Sequence, residues 1–386
     1  MIRRNPLGPL LLSSALALGL SACNRTPVSI EHKPSPLPKL AATAPVQLSP
    51  LWQGRAGAAN RQDALHLQPA LSDRQIVVAS RKGDLQSWDR QGKRLWQTRL
   101  KTPITGGVAL SGNTVLVGTQ GGVLCALNAE DGQVRWRRAL TGSLLSLPLV
   151  TADRVVVLGN DGAVTGLNPE TGAVVWTFDT HIPSVSMRGT AAPVLADAGT
   201  VLIASSNGRV YALDLNNGIP RWERRVAIPS GGDDTQKLID VDGTPVVDQD
   251  QLFVVSYQSQ LLGADLNQQR VLWARDASSL YGPAVTPELV VISTAEGDVR
   301  AYDRQQGELR WKQDGLAWRG LSNPVRLGAY IVVGDEEGYL HVLEAQSGQV
   351  VGRARTQGAV TALSIQQNQL VVQTASGTAS VWQVRS

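Results

Sequence analysis

Short apolar runs rich in Val, Leu and Ile return along the chain from about residue 50: VVVLGN (155–160), VLIASS (201–206), LFVVSY (252–257), LVVIST (289–294) and YIVVGD (330–335). Such runs suit strands buried on both faces. A glycine turn follows most of them, as in NDG (160–162), SNG (206–208), AEG (295–297) and EEG (336–338). A second strand then leads into another turn, and a short third strand ends in Trp. The pattern predicts antiparallel hairpins. A further strand precedes each pair, opened by Pro69, Pro148, Pro193, Pro245, Pro283 or Pro324. Proline is tolerated at a strand's first position, where no ladder donor is needed.

The unit is therefore four strands, and it repeats. GAVTGLNPETGAVVW (162–176) aligns with GVLCALNAEDGQVRW (122–136), GRVYALDLNNGIPRW (208–222) and GDVRAYDRQQGELRW (297–311). The Trp positions 52, 96, 136, 176, 222, 273 and 311, followed by Gly352, are 44, 40, 40, 46, 51, 38 and 41 residues apart. Four strands at this period predict an all-β fold, an eight-bladed β-propeller of four-stranded antiparallel blades. The last unit, GTASVWQVRS (377–386), stops before its Trp, and Pro50-Leu51-Trp52-Gln53 offers the missing strand. Closure by an N-terminal strand removes the open edges of an unclosed array. A solenoid is the alternative architecture, but it needs capping units, whereas these two ends read as halves of one unit.

The motif around TGAVVW resembles the docking motif of pyrroloquinoline-quinone dehydrogenases, in which the repeated Trp is structural. Recurrence argues the same way, because a catalytic residue occurs once and this Trp occurs in seven units. Trp52, Trp96, Trp136, Trp176, Trp222, Trp273 and Trp311 are expected to join neighbouring blades. Each buried indole is worth roughly 4–6 kcal/mol as a gross upper bound. Two departures stand out: Gly352 replaces a docking Trp, which is expected to weaken one joint, and Gln269 replaces the turn glycine of the fifth unit.

Composition narrows the function classes. The net charge is +4, and it falls to +2 without the Arg3 and Arg4 of residues 1–22. That balance, with no Lys/Arg run, gives no case for nucleic acid. Residues 1–22 read as a cleaved signal peptide whose apolar core, about Leu7 to Leu20, is too short to span a bilayer. Leu20-Ser21-Ala22-Cys23 resembles a bacterial lipobox, which makes Cys23 the expected lipidation site and the chain membrane-bound through its lipid. Residues 23–49 read as a lipidated Cys followed by a Pro-rich linker that lifts the body, residues 50–386, off the membrane. Cys125, in a strand-like run, is expected to be a buried thiol. The four His are far apart and lack metal-ligand spacing, and no nucleophile-elbow, P-loop or zincin motif occurs. The expected result is no enzyme, no cofactor and no metal. The quinone-dependent dehydrogenase remains an alternative, as does a carbohydrate-binding propeller with Trp318 as its platform.

Insertions in a repeat protein often mark its binding face. The two longest gaps are adjacent and contain FDTHIPSVSMRGTAAP (178–193) and VAIPSGGDDTQKLIDVDGTP (226–245). Val185, Met187 and Arg188 in one, with Asp240 and Asp242 in the other, form a candidate recognition patch. Pairing of Arg188 with Asp240 or Asp242 inside the chain is the simpler alternative. With the lipobox, the linker, the eight units and GDEEGYLHVLEAQSG (334–348), these stretches resemble the BamB family of lipoproteins of the outer-membrane β-barrel assembly machinery. The resemblance implies an outer-membrane lipoprotein facing the periplasm. It also implies that those five residues bind the POTRA domains of BamA, with other BAM subunits and unfolded β-barrel precursors as further partners.

Overall fold

The computed structural model of the chain describes residues 33–40, 46–55, 57, 67–182, 191–226, 243–257 and 259–385. Among them are eight four-stranded antiparallel sheets, seven of them ordered as the chain runs. They form blades 1 to 7 over residues 70–99, 104–139, 149–179, 194–225, 246–277, 284–313 and 325–355. Blade 8 joins three strands of residues 360–385 to the strand Gln47–Arg55. The first strands of neighbouring blades approach one another, and that of blade 8 meets that of blade 1, so the ring is closed. The eight-bladed propeller expected from the repeat is the fold observed.

Burial follows strand position. Second strands such as Thr114–Thr119 and Thr200–Ser205 are buried at every residue, whereas outer strands such as Pro220–Arg225 are almost wholly exposed. The continuous apolar runs are thus the middle of each blade, packed between neighbours, and the hydrophobic core is a chain of inter-blade clusters. Cys125 lies in one of them at 1% exposure, and burial pushes its thiol up against the pull of Arg137.

The repeated Trp is the joint between blades. The indole of Trp136, in blade 2, donates to the carbonyl of Pro169 in blade 3 (2.9 Å) and lies on Gly172. A Cβ at Gly172 would fall 2.5 Å from the ring, and its φ of 65° is itself left-handed, so two requirements select glycine there. Trp176, in turn, donates to Leu215 (3.0 Å) and lies on Gly218. The stretch 168–176 therefore carries both halves of the joint, receiving one neighbour's Trp and sending its own to the next. Trp52, Trp96, Trp273 and Trp311 make the same pair of contacts, with the carbonyls of Arg90, Ala129, Arg304 and Ala345 and with the glycines at 92, 132, 307 and 348.

The expectation of a weakened joint at Gly352 is corrected. A Cβ there would lie 2.3 Å from the carbonyl oxygen of Val46, whose N–H bonds to Val351 (2.9 Å). Blade 8 has no turn between its third and outer strands, because the two chain ends replace it, and the N-terminal backbone occupies the room a Trp would need. The outer strand pairs with Thr378–Arg385 from Gln47↔Arg385 to Arg55↔Thr378, beginning three residues before the predicted Pro50.

Part of the presumed spacer also lies on the body. Ser35 donates its N–H to Ala317 (3.0 Å) and accepts from the Arg319 guanidinium (2.8 Å), while Arg353 donates to the carbonyl of Pro38 (2.6 Å). Arg319 is itself buried against Asp335 (2.6 Å), which also meets His341 Nε2 (2.9 Å). Burial lowers the pKa of His341. Burial works to raise that of Asp335 but is outweighed by the hydrogen bonds from His341, the Tyr339 amide and Arg319, which hold the carboxyl below its usual range. Nothing in the local sequence pattern marks this cluster, since its members lie on a link, a turn and a strand.

Candidate interaction surface

In an antiparallel four-stranded blade, the link to the next blade leaves from the same end as the turn between second and third strands. Blade 3 ends at Asp179 and blade 4 at Arg225, so both long links start from this end of the ring. The first is fixed at its start. Thr180 accepts from the Asn207 amide (2.6 Å) and the Tyr211 hydroxyl (3.1 Å) of blade 4, and its own hydroxyl donates to Gly162 (3.0 Å). His181 follows with φ 54°, its N–H bonded to Asp179 Oδ1 (2.7 Å), a bond that holds the Asp179 carboxyl below its ordinary pKa.

The far ends of the two links meet. Ala192 donates its N–H to the Thr244 hydroxyl (3.2 Å) across 52 residues of sequence, and a Cβ at Gly243 would lie 2.9 Å from Tyr281 of the following link. The stems of the two long links are therefore side by side. The candidate residues Val185, Met187, Arg188, Asp240 and Asp242 lie outside the described residues, as does Cys23. Trp318, the other candidate platform, is 42% exposed on the link between blades 6 and 7, with φ 60°.

The opposite end carries the turns between first and second and between third and outer strands. Here the joint between blades 4 and 5 departs from the six closed ones. Gln269 keeps the left-handed turn at φ 51°, but its side chain stands where six other turns have glycine. Trp222 is half-buried, and among the described residues its indole N–H has no partner. A cavity of about 280 Å³ opens beside it, lined by Asp197, Arg221, Asp250, Leu266, Asn267 and Gln269 among others. The substitution was legible in the sequence, whereas the cavity it opens was not.

A family model described as outer membrane protein assembly factor BamB matches residues 81–313 and 295–385. The chain belongs to the BamB family. It is 32% identical to the outer membrane protein assembly factor BamB of Escherichia coli K12 over 97% of this chain and 98% of that one. With the Pseudomonas aeruginosa BamB it shares 35% identity over 80% and 82% of the two chains. The crystal structure of BamB from Moraxella catarrhalis superposes with a TM-score of 0.81 at 38% identity, covering 87% of this chain and all of that one. The quinohemoprotein alcohol dehydrogenase of Comamonas testosteroni shares the fold alone, at 13% identity and a TM-score of 0.69.

Proposed function

We propose that the chain is a non-enzymatic scaffold lipoprotein of the outer-membrane β-barrel assembly machinery, anchored through Cys23 at the inner leaflet of the outer membrane and facing the periplasm. It binds the POTRA domains of BamA through Val185, Met187 and Arg188 on one long link and Asp240 and Asp242 on the next, and so aids insertion of β-barrel proteins. The Ala192–Thr244 hydrogen bond supports this reading most directly, because it joins the stems of the two links into one surface. Two apolar side chains and a guanidinium in one link, with two carboxylates in the next, have the chemistry that suits a moderately polar partner surface.

Co-purification with BamA tests it. Arg188→Ala, or Asp240→Ala together with Asp242→Ala, is expected to abolish capture of BamA while the melting temperature stays within about 2 °C. Undiminished capture by both variants would overturn the assignment.

A further inference from the structure

The joint between blades 4 and 5 retains one half of a docking pair and has lost the other. Six indoles on this molecule are each covered by a glycine turn and hydrogen-bonded to a carbonyl two or three residues before that glycine. Trp222 occupies the equivalent place in the outer strand Pro220–Arg225, where Leu266 and Gln269 stand at the matching carbonyl and glycine positions. The Cβ of a residue in the glycine's place would fall 2.4–2.6 Å from the indole at the six closed joints, so Gln269 cannot lie flat on the ring. What remains is a half-buried indole whose N–H has no partner among the described residues, facing the cavity of about 280 Å³.

The walls of the cavity add a charge preference. Arg221 is already committed, to Thr200 Oγ1 (2.7 Å) and Asp214 (2.7 Å). Asp197 accepts the local N–H of Gly199 (2.7 Å), is also hydrogen-bonded by Thr200 and lies in the field of Arg221, whereas the Asp250 carboxylate has no partner among the described residues. The unmet needs of the cavity are therefore an acceptor for one indole N–H, a small flat surface for its ring, and a cation for the Asp250 carboxylate.

The geometry points to a polypeptide-binding site: the open joint takes, from another chain, a turn with a glycine, a free carbonyl just before it and a basic residue next to it. The molecule's own turns supply the template, since Asp89-Arg90-Gln91-Gly92-Lys93-Arg94 has this composition and covers Trp52. The site lies at the opposite end of the ring from the stems of the long links. It is thus independent of the proposed BamA contact, and both could be filled together.

The test uses the full propeller labelled with 5-fluorotryptophan, with the Trp222 resonance assigned from Trp222→Phe. The probe is a cyclised peptide of sequence Asp-Arg-Gln-Gly-Lys-Arg, held as a turn. Saturable movement of the Trp222 resonance alone is expected. Replacing the peptide's Gly by Ala is expected to weaken binding at least about tenfold, since the added methyl meets the ring. Asp250→Asn is expected to weaken it about three- to tenfold and to reduce its salt dependence. Gln269→Gly lets the protein's own turn close on Trp222 and is expected to abolish the response while the protein remains folded. Three results would each overturn the proposal: an unmoved Trp222 resonance, equal binding of the Gly and Ala peptides, or a response to a neutral chitin trisaccharide and none to the peptide.

Discussion

The joint between blades 7 and 8 and the joint between blades 4 and 5 each lack one half of the Trp–Gly pair, and they differ in what takes its place. At the first, the Trp is missing, and the carbonyl of Val46 lies 2.3 Å from where a Cβ on Gly352 would stand, so backbone fills the space of a ring. At the second, the glycine is missing, the Trp remains half-buried, and a cavity opens. The loss of a large side chain is repaired where a chain end runs past. The gain of a side chain under an indole is not, because nothing can be removed to make room and only the turn can retreat. Close packing leaves no third option.

Removing the strand that closes the ring is the largest way to break this comparison. A chain starting at residue 56 loses both the filler of the Gly352 joint and the outer strand of blade 8, and it exposes the edge Thr378–Arg385. Its thermal transition, followed by circular dichroism, is expected to fall by more than about 10 °C or to lose cooperativity. A melt like that of the intact chain would show that the ring does not need its closure. A smaller contrast lies between Trp176→Ala and Trp222→Ala. The first removes a 7%-exposed indole with a 3.0 Å hydrogen bond and is expected to cost about 3–5 kcal/mol. The second, at the open joint, is expected to cost about half as much, because less area is lost and the indole N–H has no partner among the described residues. Equal costs by denaturant unfolding would mean that the open joint is closed in solution.

The smallest effect is that of pH on the filled joint. Arg319, which holds Ser35, is bonded to Asp335, and Asp335 meets the buried His341; Arg353 and Tyr339 face the same group. The folded-state pKa of His341 is lowered, so as pH falls below about 6.5 the unfolded chain takes up a proton that the folded one refuses, and stability drops. The lowered pKa of Asp335 acts in the same direction, but only below about pH 4. Melting temperatures are therefore expected to decline between pH 7 and pH 5, with a shallower decline in His341→Asn. An unchanged slope in that variant would place the titration elsewhere.

Repetition made most of the fold legible. Seven Trp at steps of 38 to 51 residues, six strand-opening prolines and an incomplete last unit predicted blade number, strand order and closure. The prolines fall immediately before the first strands of six blades, as at Pro193 before Val194–Asp197. Both irregular joints were legible as departures from the repeat, but their consequences were not. What fills the space beside Gly352 is set by a residue 306 positions away, and no local period carries that information. The same limit hid the docking of Ser35 and Pro38, which depends on two arginines that read as ordinary polar positions. At the candidate interaction surface, the sequence located the two links by their length, and the structure added the bond between their stems.

Closure by the Gln47–Arg55 strand also orders events in time. During synthesis this strand is made first, yet its partner, Thr378–Arg385, is made last, so it must wait unpaired while seven blades assemble. Each of those blades is built from neighbouring hairpins and forms by local search, whereas blade 8 alone spans nearly the whole sequence and carries the loop-closure cost of that separation. Sealing of the ring is thus the slow final step of folding, and the interval before it is when an unpaired strand edge is exposed to other chains.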